Sequence, residues 1–256
     1  MCPVLDFANH TPASTLVVPV FPPPNTVAAP GSKARRGDYA FLSSRETQIA
    51  KDEELFLKYG SHPNRTLFIE YGFVNPWKEG ECASGEFIGE VDLQDVVEAL
   101  FEEKGAMGAW MKEVLQQEGY WGDWTLHSSP PPAYPSYRLV TLLRLYQLFA
   151  DCAQEQEPPP DSEARLARWR SVLAGRSEYV SKANEDGWRA VLIALCVTVG
   201  QRAREGLKRV EEPLLVASEK SPGWLPWMLQ NIRLLWLEEL EVAEAVVESV
   251  RAGIDF

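Results

Sequence analysis

Residues that build disulfide frameworks, zinc sites and phosphate-binding surfaces are scarce in this 256-residue chain. Its four cysteines contain no C-x-x-C pair, so neither a zinc knuckle nor a disulfide framework is indicated. His62 and His127 have no partners at metal-ligand spacing, so we assign them no role and expect no metal. Lysine and arginine number 25 against 37 acidic residues, and the net charge of −12 has the wrong sign for binding a phosphate backbone. Nucleic acid is therefore not an expected partner, whereas a basic protein is favoured by charge.

Long apolar runs are also missing. No stretch approaches the roughly 18–20 apolar residues that a membrane helix needs, and the first residues lack the basic flank and apolar run of a signal peptide. We therefore expect no membrane partner and a cytoplasmic or nuclear location, where cysteines stay reduced. The 45% hydrophobic content, with nine tryptophans, supplies a core for one large domain or two smaller ones.

The composition changes near residue 78 and predicts a first part that is rich in strands and loops. A β-branched run occupies 15–21, and a proline-rich stretch follows at 22–38. Apolar residues then alternate, as in strands, in YAFLSS and in ELFLKYG at 54–60. The KARR sequence at 33–36 is open to two interpretations, a localisation signal or the solvated tip of a loop.

After residue 90 the apolar spacing becomes that of amphipathic helices. Asp92 resembles an N-cap, and apolar residues then recur at helical intervals from Leu93 to Phe101. Further helices are predicted at about 109–117, 139–146, 162–174, 183–206 and 224–252. The expected fold class is therefore α+β, with a β fold of short strands followed by an all-α domain.

Two polar pairs and several tryptophans lie within the predicted helices. We interpret Asn184-Glu185 and Glu238-Glu239 as helix-surface charge or capping. The tryptophans that we interpret as core residues are Trp110, Trp169, Trp188 and Trp236.

Two motifs in the first part carry the most specific signal. LDFANH at 5–10 and ELFLKYGSHPNRTLFIEYGFV at 54–74 together resemble the C-terminal half of a SET domain, in the branch similar to the RuBisCO large-subunit methyltransferase. Three segments of the helical part are similar to the substrate-binding domain of that branch: 124–148, 181–185 and 232–250. The resemblance implies that 1–78 is the C-terminal portion of a SET domain, a partial SET-type β fold, and that 79–256 is the helical substrate-binding domain.

This resemblance implies S-adenosylmethionine-dependent transfer of a methyl group to a lysine, or occasionally a histidine, of another protein. Tyr59 matches the catalytic tyrosine of the family, whose hydroxyl lies where amine and sulfonium meet. The residues that match the family's cofactor contacts are Asp6, Asn9, His10, Tyr71 and Phe73. A lysine amine has a pKa near ~10.4 in water and must be neutral to accept a methyl group, and a low-dielectric site beside a cation favours the neutral form. The implied partner is therefore a protein that presents its lysine in such a site.

Plainer interpretations of these residues stay open at this point. Tyr59 can pack its ring at the end of a strand, His10 can be a core residue, and Tyr71 can pack in the core. For the chain as a whole, the alternative is a catalytically inactive protein-interaction module derived from a SET methyltransferase.

The glycine-rich segment that the resemblance places before LDFANH has no counterpart in these residues. The chain has no G-x-G sequence, and Met1–Val4 stand before the motif. We therefore expect an incomplete methyltransferase, which is a truncated gene model, a short paralogue or one half of a split protein. We expect the chain alone to bind S-adenosylmethionine very weakly, because a ligand needs converging walls, and to associate through unpaired strands.

Overall fold

The computed structural model describes residues 8–13, 15–20, 40–43, 48–152, 158–216 and 222–256. The chain forms two compact units, Met1–His62 and Pro63–Phe256. Helices occur together with a few short antiparallel strands, which confirms the predicted α+β class. Asp6 and the KARR sequence lie outside the described residues.

Two short strands pair in the first unit. β1 (Val17–Val20) and β2 (Ala40–Ser43) are antiparallel, and they fall in two of the segments whose composition predicts strands. Val17 is buried whereas Val18 is exposed, as expected when successive side chains of a strand point to opposite faces. The ribbon is therefore covered at Val17, whereas Pro19 on the same face is exposed.

The prediction of a strand at 54–60 is wrong. In this segment Leu57 makes an isolated parallel bridge to His10. Leu57 is buried, but Leu55 and Phe56 are 41% and 37% exposed. Alternating apolar residues form a strand only where a neighbouring strand and a buried face are available, and here only Leu57 finds them.

The second unit is mainly helical. Its helices are α1 (Asn64–Tyr71), α2 (Glu81–Ser84), α3 (Gln94–Glu102), α4 (Gly105–Gln117), α5 (Tyr137–Leu148), α6 (Ser162–Leu173), α7 (Lys182–Val216) and α8 (Trp224–Arg251). Its antiparallel sheet, in the order β3-β4-β5, consists of β3 (Glu90–Asp92), β4 (Thr125–His127) and β5 (Tyr134–Pro135). The helices predicted from apolar spacing are confirmed, although α4 begins at Gly105 rather than near 109 and α7 continues beyond 206 to Val216. No helix in the described ranges is long and apolar enough to cross a membrane.

The start of α3 lies one residue from its predicted position. Leu93 occupies the N-cap, yet Oδ1 of Asp92 accepts the N–H of Gln94 at 2.7 Å. The carboxylate of Asp92 therefore still satisfies an N–H at the start of the helix. Val97 and Phe101 bury the apolar face that the spacing predicts.

The core of the second unit includes the predicted tryptophans. Trp169 and Trp188 are fully buried, and Trp110 and Trp236 pack against the core from partly buried positions. α7 and α8 approach closely, because a Cβ at Gly206 would lie 2.3 Å from the indole of Trp236. α8 also contacts α1, α2, β3 and β4, so its side chains reach the elements at the start of this unit.

Candidate functional site

The Asn9-His10 pair lies beside Leu57 in the first unit. The C=O of Asn9 accepts the N–H of Leu57 at 2.9 Å, and the N–H of Thr11 donates to the C=O of Leu57 at 3.1 Å. The exposed side chain of Asn9 donates to Oε1 of Glu54 at 2.7 Å. The first motif is therefore held by main-chain and side-chain groups of the second.

Tyr59 is attached to the same pair through two hydrogen bonds. Its N–H donates to Nδ1 of His10 at 3.1 Å, and its hydroxyl donates to the C=O of Ala8 at 2.8 Å. The rings of His10 and Tyr59 lie 5.1 Å apart between centroids, and both residues are half-buried. Because a main-chain N–H can only donate, Nδ1 of His10 is the accepting nitrogen, and the ring proton of neutral His10 lies on Nε2.

The second motif contains two Tyr-Gly pairs, Tyr59-Gly60 and Tyr71-Gly72, and the backbone conformation explains the glycine of each pair. Gly60 has a φ of +131°, and a Cβ there would lie 2.8 Å from Nε2 of His62. Gly72 ends α1 with a φ of +82° and donates its N–H to the C=O of Phe68 at 3.0 Å. Glycine tolerates both conformations, so each Tyr-Gly pair marks a sharp change of chain direction after a tyrosine.

Tyr71 and Phe73 lie together in the second unit. Tyr71 is the last residue of α1 and is 51% exposed, and Phe73 is half-buried. Their ring centroids are 6.1 Å apart. In the same segment Leu67 and Val74 are buried in the core. Tyr71 itself is not a core residue, so the alternative that it packs in the core does not hold.

The side chains of Asn64 and Glu238 meet inside the second unit, and sequence reasoning missed their contact. Nδ2 of Asn64 donates to Oε2 of Glu238 at 2.9 Å, and the N–H of Glu90 donates to Oε1 at 3.0 Å. Oδ1 of Asn64 accepts the N–H of Asn75 at 2.8 Å. We call Asn64, Asn75, Glu90 and Glu238 the Asn64–Glu238 network.

The interpretation of Glu238 as helix-surface charge is wrong. The residue is 3% exposed, and burial raises its pKa to about 7, which its hydrogen bonds only partly offset. A signal existed, because Glu238 falls four residues before Val242 and eight before Val246 on the buried stripe of α8. A single carboxylate on an otherwise apolar stripe indicates a buried polar contact.

The same interpretation is wrong for Asn184 and Glu185. Asn184 is 5% exposed and donates Nδ2 to the C=O of Arg144 at 3.0 Å. Glu185 binds Arg144 through both carboxylate oxygens, at 2.7 and 3.0 Å. Burial would raise the pKa of Glu185, but hydrogen bonds from Arg144 and Trp188 and the charge of Arg144 outweigh it and lower the pKa. These groups support the fold rather than a reaction site.

A cavity of about 440 Å³ lies beside Glu238 in the second unit. Phe68 and Trp236 contribute aromatic surface, and Arg65 at its edge pairs with Asp92 at 2.9 Å. Of the residues that match the family's functional positions, the five that the structure describes do not line this cavity.

The structure brings the matching residues together in two groups. In the first unit His10 contacts Tyr59, and Asn9 binds the neighbouring Glu54 and Leu57, whereas Tyr71 and Phe73 form a pair in the second unit. Their chemistry fits the cofactor that the resemblance implies. An exposed amide suits the polar amino-acid part of S-adenosylmethionine, and aromatic rings suit its sulfonium cation.

Comparison with known proteins finds no matching family model. The chain is 27% identical over 252 residues to SET domain-containing protein 4 of Homo sapiens, which covers 98% of this chain and 47% of that protein. It is 25% identical over 248 residues to SET domain-containing protein 4 of Mus musculus, which covers 97% of this chain and 46% of that protein. The chain thus spans about half the length of these curated relatives.

A second kind of relative matches part of the chain. Ribosomal lysine N-methyltransferase set11 of Schizosaccharomyces pombe is 32% identical over 126 residues, which is 49% of this chain and 24% of that protein. The two relatives that match nearly the whole chain are named for the SET domain that the motifs resemble. The third is named for lysine methylation, and the chain is similar to part of each of the three.

Proposed function

We propose that this chain is part of an S-adenosylmethionine-dependent protein-lysine N-methyltransferase of the RuBisCO large-subunit methyltransferase type. The observation that carries this proposal is the attachment of Tyr59 to the Ala8–His10 segment through both its N–H and its hydroxyl. These contacts join the two motifs whose family counterparts hold the catalytic tyrosine and the cofactor.

Each residue has a role in the proposed reaction. S-adenosylmethionine, when bound, supplies a methyl group on a sulfonium sulfur. The oxygen of Tyr59 accepts a hydrogen bond from the neutral target amine and directs its lone pair, which is catalysis by orientation. Asn9, His10, Tyr71 and Phe73 contribute to holding the cofactor, and Asp6 has the matching position before them. The rings of Tyr71 and Phe73 supply apolar surface, which favours the neutral form of an amine that packs against them.

The domain assignment is part of the proposal. We assign 1–78 to the C-terminal portion of a SET domain and 79–256 to a helical substrate-binding domain. Of the eight helices in the part of the chain that the structure describes, seven begin after residue 78, which supports a helical module there. The compact units divide earlier, at His62, because Trp77 and Val74 are buried in the second unit.

We propose a ribosomal protein as the first substrate class to test, in the cytoplasm or nucleus. The name of the fission yeast relative suggests this class. The net charge of −12 supports it, since an acidic protein attracts a basic, lysine-rich partner.

The experiment incubates the complete gene product with methyl-tritiated S-adenosylmethionine and purified ribosomal subunits. We expect label in a ribosomal protein, recovered as methyl-lysine after acid hydrolysis. Binding of the cofactor, followed by calorimetry, is measured in the same preparation. Cofactor binding without transfer to any lysine-bearing protein would contradict the proposal and favour a catalytically inactive interaction module.

A further inference from the structure

The segment from Asn64 to Asn75 is closed by one side chain. Asn64 is the first residue of α1, and its Oδ1 accepts the N–H of Asn75, four residues past the end of that helix, at 2.8 Å. Tyr71 and Phe73 lie between these two residues. The amide of Asn64 therefore fixes both ends of the segment that carries the aromatic pair.

This closed segment is fastened to α8 by Glu238. One carboxylate oxygen accepts Nδ2 of Asn64 at 2.9 Å, and the other accepts the N–H of Glu90 on β3 at 3.0 Å. Asn64 and Glu238 are 2% and 3% exposed. Water has little access to these groups, so a lost hydrogen bond leaves a buried polar group without a partner.

We propose that Glu238 and Asn64 are positioning residues for methyl transfer, which hold the segment carrying Tyr71 and Phe73 in its working position. The roles of Tyr71 and Phe73 rest on the proposed function. Glu238 lies in the part of the chain assigned to the helical domain, so that domain supports the cofactor wall as well as a protein substrate.

The network depends on the chemical identity of both side chains. When Glu238 is ionised, three donors, the N–H groups of Glu90 and Asn75 and Nδ2 of Asn64, meet three acceptors, two on Glu238 and one on Asn64. The variants below are therefore compared at pH 8, where the carboxyl of Glu238 has lost its proton. A glutamine at position 238 replaces one acceptor by an NH₂ donor. That NH₂ then faces another donor, either the Glu90 N–H or Nδ2 of Asn64. If the Asn64 amide rotates to offer its oxygen to the new NH₂, its own NH₂ faces the N–H of Asn75 instead. Glu238→Gln therefore cannot satisfy the network.

A second substitution restores it. In Asn64→Asp/Glu238→Gln, the new carboxylate accepts the Asn75 N–H and the NH₂ of the new amide, while the oxygen of that amide accepts the Glu90 N–H. Every donor again has an acceptor, and the negative charge moves to the first turn of α1, where the helix dipole favours it. The pair of side chains has exchanged roles at nearly constant size.

The test compares four forms of the complete protein: unchanged, Glu238→Gln, Asn64→Asp/Glu238→Gln and Glu244→Gln. Glu244 is the control, because it lies on α8, is half exposed and undergoes the same chemical change. The rate of amide hydrogen exchange in residues 64–75 reports on the Asn64–Glu238 network without requiring activity. Steady-state methyl transfer at saturating protein substrate reports separately kcat and the KM for S-adenosylmethionine.

We expect Glu238→Gln to speed exchange in 64–75 and to lower kcat/KM for the cofactor by about tenfold or more, since small misplacements are costly to catalysis. The double variant should recover both, and Glu244→Gln should change neither. Faster exchange with unchanged kinetics would overturn the positioning role and leave the proposed function standing. An unchanged exchange rate in Glu238→Gln would show that the Asn64–Glu238 network does not hold residues 64–75. A double variant with exchange and kinetics as altered as those of Glu238→Gln would show the same. No transfer by the unchanged protein would instead refute the proposed function.

Discussion

The main-chain N–H of Tyr59 donates a hydrogen bond to Nδ1 of His10 across 3.1 Å. This bond requires the neutral ring with its proton on Nε2, because both nitrogens of a charged imidazole are donors. The imidazole ring of His10, and not its main chain alone, therefore contacts the second motif.

Replacing His10 tests this acceptor. His10→Asn places an amide oxygen at the same number of bonds from Cα as Nδ1, so we expect it to keep the hydrogen bond. His10→Leu removes it and should cost about 1 kcal/mol of local stability. The measurement is the exchange rate of the Tyr59 amide by NMR. Equal protection in the two variants would show that the ring is not what protects this amide.

Tyr59→Phe tests the catalytic role. We expect turnover to fall on the order of 10²-fold while cofactor binding changes little, as for the loss of a contact made in the transition state. The matched control is Tyr179→Phe, at a tyrosine that is 49% exposed in the second unit. Full activity in Tyr59→Phe would remove its hydroxyl from the mechanism.

The ion pair of Arg144 and Glu185 should contribute strongly to stability. Their side chains are 10% and 12% exposed, and Arg144→Met removes two charged hydrogen bonds from Glu185, although Arg189 at 2.9 Å and Trp188 at 2.8 Å still contact it. We therefore expect the free energy of unfolding to fall by about 2 kcal/mol. Arg204→Met, at the half-exposed pair with Glu244, should cost at most about 1 kcal/mol. Urea unfolding followed by circular dichroism gives both values. Similar costs in the two variants would contradict the ranking by burial.

Glu238 should make stability fall as the pH rises from about 4.5 to 7. Its pKa is raised to about 7 by burial, so the folded protein retains a proton that the unfolded chain has already lost. The loss attributable to this group is at most about 3 kcal/mol. The charged groups that line the same cavity are Arg65, Glu90, Asp92, Asp95, Arg202 and Glu239, and the charge of Glu238 also acts on the thiol of Cys82.

The measurement is the difference between the unfolding free energies of the unchanged protein and Glu238→Gln at pH 5, 6, 7 and 8. Subtraction removes the contributions of groups common to both proteins. We expect the unchanged protein to be more stable than Glu238→Gln at pH 5, and this excess stability to shrink as the pH rises to about 7. A constant difference would mean that Glu238 does not retain a proton in the folded state.

The second unit should fold by itself when it begins at Pro63. A fragment that begins at residue 90 loses Trp77, which stacks on Phe87, and Cys82, both of which belong to the core. We expect 63–256 to unfold cooperatively and at a higher temperature than 90–256, because removed core side chains leave cavities. Thermal melts followed by circular dichroism decide, and equal midpoints would show that 63–89 adds no stability.

Local patterning predicted much of the helical part. α8 was expected at 224–252 and is Trp224–Arg251, because the spacing of apolar residues along a single helix reveals both its period and its buried face. The resemblance also named Asn9, His10 and Tyr59, whose functional roles remain predictions. The strand at 54–60 failed because a strand requires a partner, and the sequence of one segment does not contain its partner.

Residue patterns along the chain suffice for the α+β class, the helices and the motifs that resemble a SET domain. Contacts between distant segments are needed to show that Glu238 is a buried anchor rather than surface charge, and that Tyr59 binds His10 through a ring nitrogen. Asn64 and Glu238 are separated by 174 residues. Their contact exists because α1 and β3 pack on α8, and the burial that makes a carboxylate a structural anchor is a property of surfaces that meet, not of the residues beside it in the chain.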